Sequence, residues 1–138
     1  MRLVCEYITP DDPIVKKLAR ELGSVRACFE FVRGRIRYVR ERGERWLLPR
    51  ETLERGEGDC EDLANLLTSL LRSLGERCWS MIVEEDGRLH VVTYHPRIGV
   101  LDPSTGSFGG EPKKPILAFD ERSIGVYDIR LAKKLIFR

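Results

Sequence analysis

The chain has 138 residues, 24 Lys and Arg against 22 Asp and Glu for a formal charge of +2, 42% hydrophobic residues and 33% charged ones. That length argues for one domain and against two full cores, and the apolar content excludes a disordered chain. No apolar run approaches the roughly 20 residues that cross a bilayer, and Met1 to Tyr7 carries charge where a signal peptide would be apolar, so a soluble, cytoplasmic protein is expected.

In chain order, Thr9-Pro10-Asp11-Asp12-Pro13 predicts a helix start ahead of Ile14, and Gly23 ends that helix after Leu22. Ser24 caps a second helix, on which Val25, Cys28, Phe29, Val32 and Ile36 form one apolar face. Arg33, Arg35, Arg37, Arg40, Arg42 and Arg45 follow as a basic stretch, offset by Glu41 and Glu44. Few aromatics are interleaved with it, so solvated, ion-paired surface is the expectation and nucleic acid is not an expected partner. Trp46 to Gly58 reads as an irregular approach segment, broken by Pro49, Gly56 and Gly58.

Leu63, Leu66, Leu67, Leu70, Leu71 and Leu74 then recur at helical spacing, and Gly75 closes that helix. Beyond it the period changes to two. Trp79 to Glu84 and Leu89 to Tyr94 read as strands joined through Glu85-Asp86-Gly87-Arg88, and Ile98 to Asp102 reads as a third strand. Pro103 to Pro115 is a long loop, either a lid or a surface connection. Ile116 to Phe119 and the segment from Ile124 complete the sheet, with strand and helix both open for Leu131 to Phe137. Helices first and antiparallel strands afterwards give an α+β class over residues 1–138 as a single domain.

Scarcity narrows the chemistry. The only histidines are His90 and His95, and the four cysteines, Cys5, Cys28, Cys60 and Cys78, include no Cys-x-x-Cys pair, which argues against a structural zinc site. Glutamine is absent and Asn65 is the only asparagine, a composition that suits a thermophile and leaves a Cys5 disulfide open. His95 lies five residues from His90, at a strand end, and reads as a turn residue facing the other side.

Cys60 is set apart by its place. Gly56-Glu57-Gly58-Asp59 leads into it, Asp59 is a candidate N-cap, and the sulfur falls on the first turn of the leucine helix, facing the sheet. A helix N-terminus favours a thiolate, and a first-turn N–H can donate to a tetrahedral oxyanion. Asp59, Glu61 and Asp62 oppose ionisation, so a reactive Cys60 needs an imidazolium nearby.

Gly58-Asp59-Cys60-Glu61-Asp62-Leu63-Ala64 with the leucine run to Gly75 resembles the nucleophile helix of the transglutaminase-like superfamily. Leu89-His90-Val91 resembles its histidine strand, Leu101-Asp102-Pro103 its aspartate motif, and Trp46 to Leu53 the lead-in of its small prokaryotic members. The resemblance spans about Ser24 to Pro103, with thirty residues from Cys60 to His90 and twelve from His90 to Asp102. It departs at Val92, where family members often carry an aromatic residue.

The resemblance implies that Cys60, His90 and Asp102 converge as a papain-like triad on a helix packed against an antiparallel sheet. Cys60 would attack an amide carbonyl, His90 would carry the proton, and Asp102 would hold the imidazole. It also suggests Trp46 near the oxyanion or substrate, with core packing as the alternative. The expected partner is a peptide or protein with an amide group, and no membrane, cofactor or metal is expected. Hydrolysis through a thioester is the first expectation, with protein-glutamine acyl transfer or a non-catalytic interaction domain as alternatives.

Overall fold

The computed structural model describes residues 1–40 and 45–138, so Arg42 of the basic stretch, with Glu41 and Glu44, lies outside the described residues. Helix α1 (Pro13–Leu22) starts where the Asp12 carboxylate accepts from the Ile14 and Val15 N–H groups at 2.9 and 3.4 Å, and it ends on Gly23 in the left-handed region. Helix α2 (Val25–Arg35) is capped by Ser24, whose hydroxyl accepts from the Ala27 N–H at 3.1 Å, and it buries Cys28, Phe29 and Val32.

The approach segment is more ordered than its glycines suggested. Two short strands, β1 (Arg37–Tyr38) and β2 (Glu57–Gly58), pair in parallel and bracket a helix, α3 (Pro49–Arg55). Pro49 pre-sets the first helical φ, Glu51 accepts from the Leu48 N–H at 2.8 Å, and Gly56 closes the turn, so residues read as breakers act as start and stop.

Helix α4 (Cys60–Ser73) is the spine of the fold, with Leu63, Leu66, Leu67, Leu70 and Leu71 all but fully buried. The leucine face, expected on the sheet, instead packs largely with Val15 and Ala19 of α1 and Phe29 and Val32 of α2. Small and polar residues of α4 face the sheet. The Thr93 hydroxyl donates to the Ala64 carbonyl at 3.0 Å, Thr68 and Thr93 share a hydrogen bond at 3.0 Å, and Ser80 donates to Asn65 at 2.8 Å. Small side chains let helix and sheet approach closely, and their hydroxyls are satisfied across the contact, whereas Asn65 Nδ2 is buried without a partner.

The main sheet contains β3 (Trp79–Glu85), β4 (Arg88–His95), β5 (Gly99–Asp102), β6 (Ser107–Phe108), β7 (Pro115–Phe119) and β8 (Ile124–Val126), in the order β6-β5-β4-β3-β7-β8 with antiparallel neighbours. Asp86 and Gly87, both at positive φ, make the tight β3–β4 turn. The segment left open becomes helix α5 (Ile129–Leu135), capped by Asp128. Its Ala132 and Leu135 pack with Val4 and Tyr7 of an N-terminal 3₁₀ turn, Val4–Tyr7. Cys5 sits in that turn with its thiol 3.6 Å from the Ser123 carbonyl, just ahead of β8, and all four cysteines are free thiols. No helix among the described residues is long and apolar enough to cross a membrane.

Leu67 is fully buried at the centre of the α1–α2–α4 cluster. Leu67→Ala should lower unfolding free energy by about 2–5 kcal/mol in denaturant melts; a loss below about 1 kcal/mol would mean that this face is not core.

Candidate active site

The first turn of α4 is held by carboxylates. Asp59 Oδ1 accepts from the Cys60 N–H at 2.7 Å. Asp62, fully buried, accepts from the Asp59 N–H at 3.0 Å through one oxygen and from the Leu47 N–H at 2.9 Å through the other. Gly58 is required by this closeness, since a Cβ there would meet the Asp62 Cβ at 2.6 Å.

Cys60 faces the sheet in a cluster with Ala64, Ile82 and Val91, and its sulfur accepts a hydrogen bond from the Val91 N–H. Its thiol donates to Glu61 Oε1 at 3.5 Å. Burial, then the adjacent Glu61 carboxyl, push the thiol well above its ordinary value. The helix-terminus argument alone favoured a thiolate; desolvation and local carboxylates outweigh it in the resting structure. Glu61, 9% exposed, is itself pushed up to about 7 by burial and by Asp62 and Asp59.

His90 and Asp102 are brought together directly. His90 Nε2 lies 2.7 Å from Asp102 Oδ2, at the end of β5. The hydrogen bond that His90 donates to Asp102 raises the imidazole above its ordinary value against the effect of burial. Burial works to raise Asp102, but its bonds to His90 and Ser104 prevail and hold the carboxyl below the usual range.

Strand alternation turns His90 away from the face of Val91. The imidazole nonetheless shares one groove of ≈ 690 Å³ with the Cys60 thiol, lined also by Tyr38, Glu61, Leu89 and Arg88. This occurs where β5, which pairs only with Thr93 to His95, leaves the β4 edge open. Among the described residues the thiol's side-chain partner is Glu61 and the imidazole's is Asp102; no hydrogen bond joins thiol to imidazole.

The other candidates fall elsewhere. Trp46 is buried, with its ring 5.3 Å from Tyr7 and 5.9 Å from Phe119, and it borders a different groove with Tyr7, Arg45 and Arg138. His95 is not a turn residue but the last residue of β4, buried and 2.7 Å from Glu76. Arg37 and Arg45 pair with Glu57 and Glu51, whereas Arg33 donates to the Pro103 carbonyl at 2.9 Å. The loop after Asp102 is thereby tied down, with β6 paired to β5. One contact went unnoticed in the sequence, and one acid read only as opposing ionisation does more. Ser104, which follows the Asp-Pro pair, bonds Asp102; Glu61, read as an ordinary first-turn acid, bonds the thiol. Asp59, Cys60 and Glu61 bring one donor atom each within 4.8 Å of one another.

The sequence profile of the transglutaminase-like superfamily matches residues 10–90, and the chain belongs to that superfamily. The match reaches His90 and stops short of Asp102. Among solved structures, the chain resembles a proposed cysteine protease from Cytophaga hutchinsonii at 18% identity and TM-score 0.60, covering 88% of this chain and 48% of that one. It thus spans about half the length of that protein. It also resembles LapG from Legionella pneumophila, at 17% identity and TM-score 0.61 over 93% of this chain and 94% of that one. A calcium-bound form of LapG matches at 16% identity and TM-score 0.60 over 93% and 99%. At these identities the likeness establishes the fold. No curated protein sequence matches the chain.

The His90–Asp102 pair has a pH signature. The raised His90 contributes stability that is full below its unfolded value near 6.5 and is lost as pH rises through the folded value. The lowered Asp102 contributes above about pH 4 and loses its contribution as pH falls. Relative to His90→Gln, the wild type should therefore be most favoured near pH 5 and lose that advantage as pH rises through the folded value of His90. Urea melts across this range that show a constant difference would contradict the pairing.

Proposed function

We propose that the chain is a thiol-dependent amide hydrolase, a cysteine protease or amidase acting through Cys60, His90 and Asp102. The observation that carries this reading is His90: a buried carboxylate engages one ring nitrogen while the ring lines the groove holding the Cys60 thiol. At rest the thiol proton points to Glu61, so the first event is a turn of the thiol toward the imidazole.

Cys60 Sγ then bonds to the substrate carbonyl carbon as His90 takes the thiol proton. Collapse of the tetrahedral adduct breaks the C–N bond, and His90 passes the proton to the leaving amine. Water, deprotonated by His90, opens the thioester and releases a carboxylic acid and the thiol. Asp102 keeps the imidazole tautomer and stabilises its cation. An amine in place of water would give acyl transfer.

The calcium-bound state of LapG raises the same question for this chain. Asp59 and Glu61 would hold such an ion: Glu61 is a 9% exposed carboxyl with no cationic partner among the described residues, and its oxygen lies close to Asp59 and Cys60. A bound divalent cation supplies positive charge beside the thiol, where the carboxylates now oppose ionisation. A calorimetric titration with calcium should show one bound ion, lost in Glu61→Gln; no heat from the wild type would remove the ion from the account.

The raised thiol favours a second reading, an interaction domain that keeps the triad without using it. Digestion of a proteome-derived peptide library, in calcium and in EGTA, with cut sites mapped by mass spectrometry, separates the two. Cleavage by the wild type that falls about a thousandfold or more in Cys60→Ser supports the hydrolase. Equal cleavage by Cys60→Ser, or none by the wild type in either buffer, overturns it.

A further inference from the structure

Asp102 is 5% exposed and each of its carboxylate oxygens has its own task. Oδ2 faces His90 Nε2 at 2.7 Å. Oδ1 accepts twice from one residue, from the Ser104 N–H at 3.0 Å and from the Ser104 hydroxyl at 2.7 Å. An aspartate's terminal torsion is broad and nearly two-fold, so one hydrogen bond on one oxygen does not fix the plane of the carboxylate. Donors on both oxygens do.

The turn that carries Ser104 is itself anchored. The Gly106 N–H donates to the Asp102 carbonyl at 2.8 Å, and Arg33 reaches from α2 to donate to the Pro103 carbonyl at 2.9 Å. Gly106, at φ +88°, makes room for that guanidinium: a Cβ there would lie 2.6 Å from Arg33 Cζ. Arg33 begins the basic stretch but is spent on this turn.

The geometry points to Ser104 as the positioning residue that holds the Asp102 carboxylate in register with His90, with Arg33 as the brace that holds Ser104 in place. This rests on the reading of Asp102 as the group that orients the catalytic imidazole. Ser104 touches no reacting atom. It keeps Oδ2 turned to Nε2; without its hydroxyl Oδ1 loses the shorter of its two bonds from Ser104 and keeps the longer one from the N–H, so the carboxylate turns more freely and the imidazolium loses part of its stabilisation.

The test uses the full chain with Ser104→Ala, Ser104→Thr and Arg33→Met, and reads the His90 ring by NMR titration, assigned against His90→Gln. The His90 pKa should lie above 6.5 in the wild type, fall toward 6.5 in Ser104→Ala, and return in Ser104→Thr, which keeps the hydroxyl. Arg33→Met should move it in the same direction as Ser104→Ala. On a peptide cleaved by the wild type, Ser104→Ala should lower kcat about tenfold with KM unchanged, the size expected when one hydrogen bond to a charged group is lost. An unchanged His90 titration in Ser104→Ala overturns the role of Ser104, and an unchanged one in Arg33→Met overturns the brace. The titration needs no turnover, so it decides this inference even if the chain cleaves nothing.

Discussion

Asp62 places a carboxylate at zero exposure just inside the N-terminus of α4, bonded to the Leu47 and Asp59 N–H groups. A buried charge is costly unless it is hydrogen-bonded, and here the helix terminus and two N–H donors compensate it. In return it ties three pieces of chain to one point. Leu47 brings in the approach segment and with it the Tyr7–Trp46–Phe119 cluster. Asp59 is held where it caps the Cys60 N–H, and Gly58 must remain without a side chain to let the strand pass. The position of the thiol follows from the burial of a neighbouring acid two residues along.

That arrangement has an electrostatic consequence. The acids that start the helix are the ones that oppose a thiolate, and burial adds to their effect. Arg40 and Arg88 line the groove as fixed cations, and its titratable positive contribution comes from His90, raised by Asp102. Two charge systems therefore meet in one groove: a carboxylate-rich helix start and an imidazole–carboxylate pair fixed by the β5 turn. They come from opposite sides of the chain's organisation, one helical and one in the sheet. They can be tuned separately, the first by whatever neutralises Glu61 and the second by the contacts that fix Asp102.

Much of this was legible in the residues. Capping chemistry marked α1, α2 and α4, and the two-residue turn at Asp86-Gly87 marked the hairpin, because those signals are local. The order of Cys60, His90 and Asp102 supplied the candidate triad, of which His90 and Asp102 meet. What escaped depends on tertiary context. Pro49 and Gly56 look alike as breakers whether they interrupt a loop or bound α3. The leucine stripe of α4 announced burial but not which layer it would meet, since helices and sheets both accept apolar faces. Arg33 looked like part of a solvated stretch, because its partner is a backbone carbonyl seventy residues away. For Trp46 core packing is the stronger reading of the sequence, and Tyr7 packs against its ring.

In the proposed mechanism Cys60 is the nucleophile and His90 serves it. A crystal structure of the chain after reaction with a peptidyl chloromethyl ketone tests it most directly, because the reagent is read by the groove and reports the attacking atom. The expected result is a single covalent bond from Cys60 Sγ, with the His90 ring turned to the adduct within hydrogen-bonding distance and Nε2 still on Asp102. A label on Cys5 with Cys60 untouched, or a Cys60 adduct with His90 out of reach, would contradict it.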